Sequence, residues 1–348
     1  MNHSNRNCNS SIREVIYRGH KAVEIESKQM KLIILPELGA KIVSLQFLAT
    51  EKEWLVGSGP KELLKVDYGS EFVAADVSGW DECFPGIIAG EYPNEGMYQG
   101  RMIPDHGELW SVPWDAHTDG GALVCTVMGR QLPYQFTRKI SVIDEHTLRL
   151  EYEVANLCKE PLSVFWAAHP LFIGTEYTQI CLPNEVSSIL CVDGGQALKT
   201  GQRYPWPEGN GSRTYPDLAD APTLQRRLDQ LGPATARDAR KFYVEGEIPE
   251  GWAGLYESNN GNYLVLEWDT EAIPYLGIWI DEGVYNPNPV CALEPTNGYY
   301  DSLSEANQHE KLLTIMPEDT ARWSLSLTLG NGSLDEMYGG EGREKGRV

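Results

Sequence analysis

Two stretches of strict alternation constrain this chain more than any other feature. LRLEYEV, residues 148–154, sets Leu148, Leu150, Tyr152 and Val154 against Arg149, Glu151 and Glu153. WSLSLTL, residues 323–329, sets Trp323, Leu325, Leu327 and Leu329 against Ser324, Ser326 and Thr328. Successive side chains of a strand point to opposite faces, so a period of two puts one face in a core and the other in water. KLIILP (31–36), GALVCTVMG (121–129) and NYLVLEW (262–268) are further β-rich runs bounded by turn formers. Helical periodicity is scarce, and its best case is TLQRRLDQL, 223–231, inside a polar region. Many short strands joined by turns predict an all-β fold, a sandwich or a barrel.

The strand pattern runs without an obvious linker, which predicts a single β domain over residues 14–330. Residues 1–13 and 331–348 are expected to be flexible ends. The one long interruption is a polar excursion at 203–240, of the length usual for an insertion or a functional loop. No solenoid or propeller period is present.

Among 348 residues, 50 are acidic and 29 basic, a formal net charge of −21. Such a surface repels phosphate backbones and anionic lipid, so no nucleic acid and no membrane partner is expected, and a neutral small molecule fits better. The seven cysteines are scattered with no C-x-x-C pair, which argues against a disulfide framework or structural zinc. The opening residues MNHSNRNCNSS carry no apolar run of the signal-peptide type. A cytoplasmic location is the expectation.

Phosphate loops, dinucleotide fingerprints, G-x-S-x-G and H-E-x-x-H are absent. Chemistry is sought in four other places. In VFWAAHPLF, 164–172, His169 shares a strand face with Phe165 and Ala167, and a proline follows it. The bland alternative is a structural histidine bonded to a backbone carbonyl. In VCALEPTNG, 290–298, Glu294 stands in an apolar strand and again precedes a proline, Pro295. Burial there would raise a carboxyl towards the range of a general base, unless the residue simply emerges into solvent. Each proline is expected to stop its strand.

The third place is PDHGELW, 104–110, where His106 lies between Asp105 and Gly107 in a turn-like stretch. A neighbouring carboxylate can tune an imidazole, although an exposed turn histidine is an equal reading. His3, His20, His117, His146 and His309 sit in polar contexts and are expected at the surface. The fourth is a pair of aromatic-plus-acid clusters. GWDECFP contributes Trp80, Asp81 and Glu82, and IWIDEG contributes Trp279 and Asp281. Carboxylates accept from vicinal hydroxyls and an indole packs against the C–H face of a sugar, so all five are candidate substrate-binding residues, with Arg101 a sixth.

Taken in order, these segments resemble the aldose 1-epimerase (galactose mutarotase-like) superfamily. ELGAKIVSLQ (37–46) looks like its early strand-turn-strand, and FPGI followed by PDHGELW like the stretch with its first histidine. VANLCKEPLSVFWAAHPLF and CALEPTNGYYDSL look like the segments with its second histidine and its glutamate. The resemblance implies a large antiparallel two-sheet β-sandwich (supersandwich) and a cofactor-independent, metal-free isomerase acting on a small-molecule sugar; a homodimer is compatible with it. It implies Glu294 as general base, His169 as general acid on the opposite side of the ring, and His106 as an aid in holding the sugar. Asp281 looks like the superfamily's hydroxyl-binding aspartate. Acids at Asp81 and Glu82, where a sugar-phosphate branch has basic residues, argue against a phosphorylated sugar. Two other classes stay open: a non-catalytic sugar-binding or sensing protein, and a carbohydrate hydrolase or lyase using Asp281 with Glu294.

Overall fold

A computed structural model describes residues 10–339 except 60–62, 64, 76, 197 and 209–226. The two alternating stretches lie side by side. Thr147–Asn156 pairs antiparallel with Thr320–Asn331, setting Leu148 beside Leu327, Leu150 beside Leu325 and Tyr152 beside Trp323, all buried. They form the middle of an eight-stranded antiparallel sheet. Its order is Thr178–Cys181, Trp252–Glu257, Asn262–Trp268, Thr320–Asn331, Thr147–Asn156, Tyr134–Val142, Ala122–Met128 and Asp115–Asp119.

A second, twelve-stranded antiparallel sheet packs on the first. From one edge it runs Ser11–Tyr17, His20–Glu26, Met30–Leu35, Lys41–Phe47, Trp80–Cys83 and Ala167–Ile173. It continues through Val290–Thr296, Tyr275–Glu282, Asp238–Val244 and Ser188–Asp193 to Arg203–Pro205, with Lys52–Glu53 paired to Lys41–Phe47. Phe242, Ile278 and Ile280 of this sheet share one apolar cluster with Leu264, Leu266, Leu325 and Leu327 of the other. Burying each such side chain contributes about 1.5–3 kcal/mol, so the seam between sheets holds the fold together. The fold is the expected all-β two-sheet sandwich.

Several boundaries differ from expectation. The first strand begins at Ser11 and pairs Ser11–Arg13 with Glu24–Glu26, inside the segment expected to be flexible. Beyond Asn331 the chain forms a short helix, Leu334–Met337, held by a capping box between Ser333 and Glu336. The helical expectation for 223–231 fails over 227–231. Leu228 and Leu231 are buried in the core instead, and the Ile180 N–H donates to the Asp229 carbonyl at 2.7 Å. Docking onto a strand edge satisfies that backbone better than an isolated helical turn would. Residues 1–9, 340–348 and the 209–226 part of the polar excursion lie outside the described residues.

Candidate functional site

Four neighbouring strands in the middle of the larger sheet present a polar cluster on the face turned away from the core. The pairs Ala167–Thr296 and Leu171–Ala292 share one register, which sets His169 directly across from Glu294. The next strand adds Gly277 beside Glu294, and the one after adds Tyr243 beside Gly277. A second row, two residues along each strand, reads Leu171, Ala292, Trp279 and Lys241. The two prolines do not end their strands, which run on to Ile173 and Thr296. Pro170 and Pro295 instead lack the N–H groups that the ladder between Ala167–Thr296 and Leu171–Ala292 would use, so pairing lapses only locally around His169 and Glu294.

Glu294 is fully buried yet half-satisfied. Its Oε2 accepts from Lys241 Nζ at 2.7 Å, while Oε1 has no hydrogen-bond partner among the described residues. His169 Nε2 lies 4.0 Å from that Oε1, and its buried Nδ1 also lacks a partner among the described residues. Lys241 reaches Asp301 Oδ1 as well, at 2.9 Å, and Tyr243 donates its hydroxyl to the same oxygen at 2.5 Å. Gly277 makes this convergence sterically feasible. A Cβ there would stand 3.2 Å from the Tyr243 ring and 3.5 Å from Glu294 Oε2, in the space that lets neighbouring side chains meet.

His106 joins from a turn. Its backbone is left-handed, with φ of 56°, and the following Gly107 bridges in parallel to Phe84 at a position with no room for a Cβ. His106 Nδ1 bonds Asp105 Oδ1 at 2.9 Å, and Asp105 Oδ2 accepts the Phe72 N–H at 2.7 Å. The Phe72 ring stacks on His106 at 4.1 Å, and both rings meet the His169 imidazole edge-on at 5.0 Å. Two imidazoles and one carboxyl from distant segments therefore line a single cavity of about 800 Å³.

The electrostatics follow from burial and neighbours. Burial pushes the Glu294 carboxyl above its ordinary value, against the pull of Lys241. Burial, reinforced by His106, Lys241 and Lys41, pushes His169 well below the usual histidine range. Burial disfavours the Lys241 ammonium, but Asp301 and Glu294 outweigh it and hold Lys241 above the ordinary lysine value. Burial also acts against the Asp105 carboxylate, but the bond and charge of His106 and the Phe72 N–H bring it below its ordinary value. Glu294 and His169 are thus pushed in opposite directions by one enclosure.

Some expected residues lie elsewhere. Trp279 lines the cavity, as does His309, which is both exposed and at the rim. Asp281 does not line it: its two oxygens accept the backbone N–H groups of Val284, Tyr285 and Asn286 and so close a turn. Trp80 and Glu82 point into the core because they take the opposite strand face from Asp81. Asp81 stands across from His169 but is ion-paired with Lys41 at 3.2 Å and does not form the cavity wall. Glu82 is paired with Arg138 at 2.9 Å. These acids therefore lose their force as an argument against phosphate, because neither presents its charge to the cavity. Arg101 is exposed and donates to the Gln131 carbonyl at 2.8 Å, away from the cavity wall.

The sequence reading missed Lys241, Tyr243, Gly277 and Asp301. Lys241 and Tyr243 alternate with Arg240, Phe242 and Val244, which is the pattern of any half-buried strand. The available signal was Gly277, a lone glycine inside the apolar strand YLGIWIDE. The expected placement of acid and base on opposite sides of a ring also changes: His169 and Glu294 stand on adjacent strands of one wall.

No family model matches the chain, and no curated protein matches it in sequence. Solved structures do match in shape. A galactose mutarotase-like protein from Clostridium acetobutylicum superposes with a TM-score of 0.65 at 15% identity, covering 92% of this chain and 99% of that one. One from Lactobacillus casei gives 0.63 at 18% identity, with 89% and 100% covered. A galactose mutarotase related enzyme from Lactobacillus acidophilus gives 0.61 at 15% identity, with 92% and 98% covered. At these identities the likeness is one of architecture, and the chain has the galactose mutarotase-like fold.

Proposed function

We propose that the protein interconverts the anomers of a free sugar by opening and reclosing its cyclic hemiacetal. The observation that carries this reading is the pair of buried atoms without a partner among the described residues, Glu294 Oε1 and His169 Nδ1, on side chains 4.0 Å apart in an open cavity. Buried polar groups without partners cost stability, so an unsatisfied acid-base pair facing a cavity marks a place for a ligand. Ring opening moves one proton off the anomeric hydroxyl and another onto the ring oxygen. Both oxygens are bonded to the same carbon, so an acid and a base on one wall suit the reaction. Glu294 takes the hydroxyl proton and His169 supplies the ring oxygen. The aldehyde rotates about its C1–C2 bond and recloses on the other face, and the proton transfers run backwards. Burial disfavours the charged form of each group, so the pair holds a single proton; the form that reacts carries it on His169, with Lys241 stabilising the Glu294 carboxylate. His106, fixed by Asp105, helps hold the sugar.

The bond from Lys241 to Glu294 favours a second reading, a sugar-binding protein without turnover, since a paired carboxylate is a weaker base. Exchange NMR on free aldoses separates the two. Faster exchange between anomers with the native protein, lost in Glu294→Gln, supports the isomerase; saturable binding with no change in exchange supports the binding protein.

A further inference from the structure

We infer that the cavity takes the reducing end of a neutral disaccharide or longer saccharide, with Trp279 and Tyr285 seating the second ring; this rests on the sugar reading proposed above. Size is the first ground. Pockets from about 300 Å³ upward enclose drug-sized ligands, and a single pyranose is smaller than those. A cavity of about 800 Å³ leaves most of its space unfilled by one ring.

Register supplies the second ground. Ala292 precedes Glu294 on the same strand face, two residues away, which is about 7 Å at the rise of an extended strand. In the row of Ala292, Leu171 stands on one side and Trp279 on the other. Ala292 itself is fully buried, while Leu171 and Trp279 line the cavity and form an apolar wall roughly one sugar ring removed from the catalytic carboxyl. Aromatic faces pack against the C–H faces of sugars, and Tyr285 extends this wall with its ring centroid 5.8 Å from that of Trp279. Tyr285 is 48% exposed, a large apolar surface left open at the cavity mouth. The turn that presents it is the one fixed by Asp281, so the aspartate expected to bind hydroxyls positions the aromatic residue instead.

Charge is the third ground. Among the described residues, the Lys and Arg side chains lining the cavity are already engaged, Lys241 by Glu294 and Asp301, Arg203 by Glu245. Asp193 and Glu305 add negative charge to the lining, which disfavours phosphorylated and acidic saccharides and offers acceptors to hydroxyls.

The test measures anomer exchange by NMR on glucose, galactose, maltose, lactose and cellobiose, with binding followed by tryptophan fluorescence. The expected result is kcat/KM at least tenfold higher on one of the disaccharides than on its monosaccharides. Trp279→Ala and Tyr285→Ala should each bring that ratio towards one, and Asp281→Ala should do so through Tyr285. Acceleration of monosaccharides and disaccharides alike, with ratios unmoved by these variants, would overturn the second seat and leave the isomerase standing. Disaccharide binding lost in Trp279→Ala, with no acceleration of any sugar, would support the seat and overturn the isomerase. Neither binding nor acceleration would overturn both.

Discussion

Two glutamates, both fully buried, stand two strands apart on opposite faces of the larger sheet. Glu82 faces the core and is saturated: Oε1 accepts from Arg138 at 2.9 Å and Tyr152 at 3.0 Å, and Oε2 from Trp166 at 2.7 Å. Glu294 faces the cavity with one oxygen on Lys241 and the other without a hydrogen bond among the described residues. Burial raises both carboxyls above their ordinary values, so a shifted pKa does not tell them apart. Completeness of hydrogen bonding does. A saturated buried acid ties two sheets together, whereas an unsaturated one beside an imidazole retains capacity for a visitor.

The largest expected effect breaks that comparison on the cavity side. Glu294→Gln keeps the size of the side chain and removes the base, so anomer exchange should fall about 100- to 10,000-fold while the melting temperature stays close to native. Exchange NMR and calorimetry on one sample check both halves. Glu82→Gln should do the reverse. It leaves the Arg138 guanidinium buried without its counter-charge, which costs about 3–5 kcal/mol in denaturant unfolding. Retained stability in Glu82→Gln, or a large loss in Glu294→Gln, would erase the distinction drawn between them.

The sequence made one half of this contrast legible and hid the other. Alternation in 148–154 and 323–329 was sufficient to place a core face, because strand periodicity is local. The histidine and glutamate each stood out by preceding a proline in an apolar run. That His169 and Glu294 face one another across a ladder follows only from register, which no short segment carries. GWDECFP misled for a related reason. Its Trp80, Asp81 and Glu82 are consecutive, so they cannot all share one side of a strand, and the outward Asp81 is taken by Lys41 from a neighbouring strand. Lys241 was invisible because its partners, Glu294 and Asp301, lie more than fifty residues away in the chain.

Gly277 sharpens the comparison at an intermediate scale. Its row is kept clear by a missing side chain: a methyl group there would press on the Tyr243 ring at 3.2 Å, while its 3.5 Å approach to Glu294 Oε2 is ordinary contact. Gly277→Ala should therefore lower kcat on the order of tenfold by shifting Tyr243 and, through Asp301 and Lys241, the carboxyl, with KM little changed, since a small misplacement costs rate before it costs binding. Steady-state exchange rates over a range of sugar concentrations check the split. A fall in binding alone would show that the space serves the ligand rather than Glu294.

The smallest effect concerns the position of a pH profile rather than its height. With one proton shared by Glu294 and His169, exchange should be bell-shaped in pH. It falls on the acid side when both groups are protonated and on the alkaline side when neither is. The positive charge of Lys241 pulls down the proton affinity of both partners. Lys241→Met removes that charge and leaves Asp301 close by, which itself raises Glu294. Both limbs should therefore move to higher pH, the acid limb by about 1–3 units given a lost contact at ion-pair distance. Lys241→Arg should restore the native limbs. A bell that shrinks without moving would reduce Lys241 to a filler of the sheet face, and the contrast between a saturated and a poised carboxylate would then need another cause.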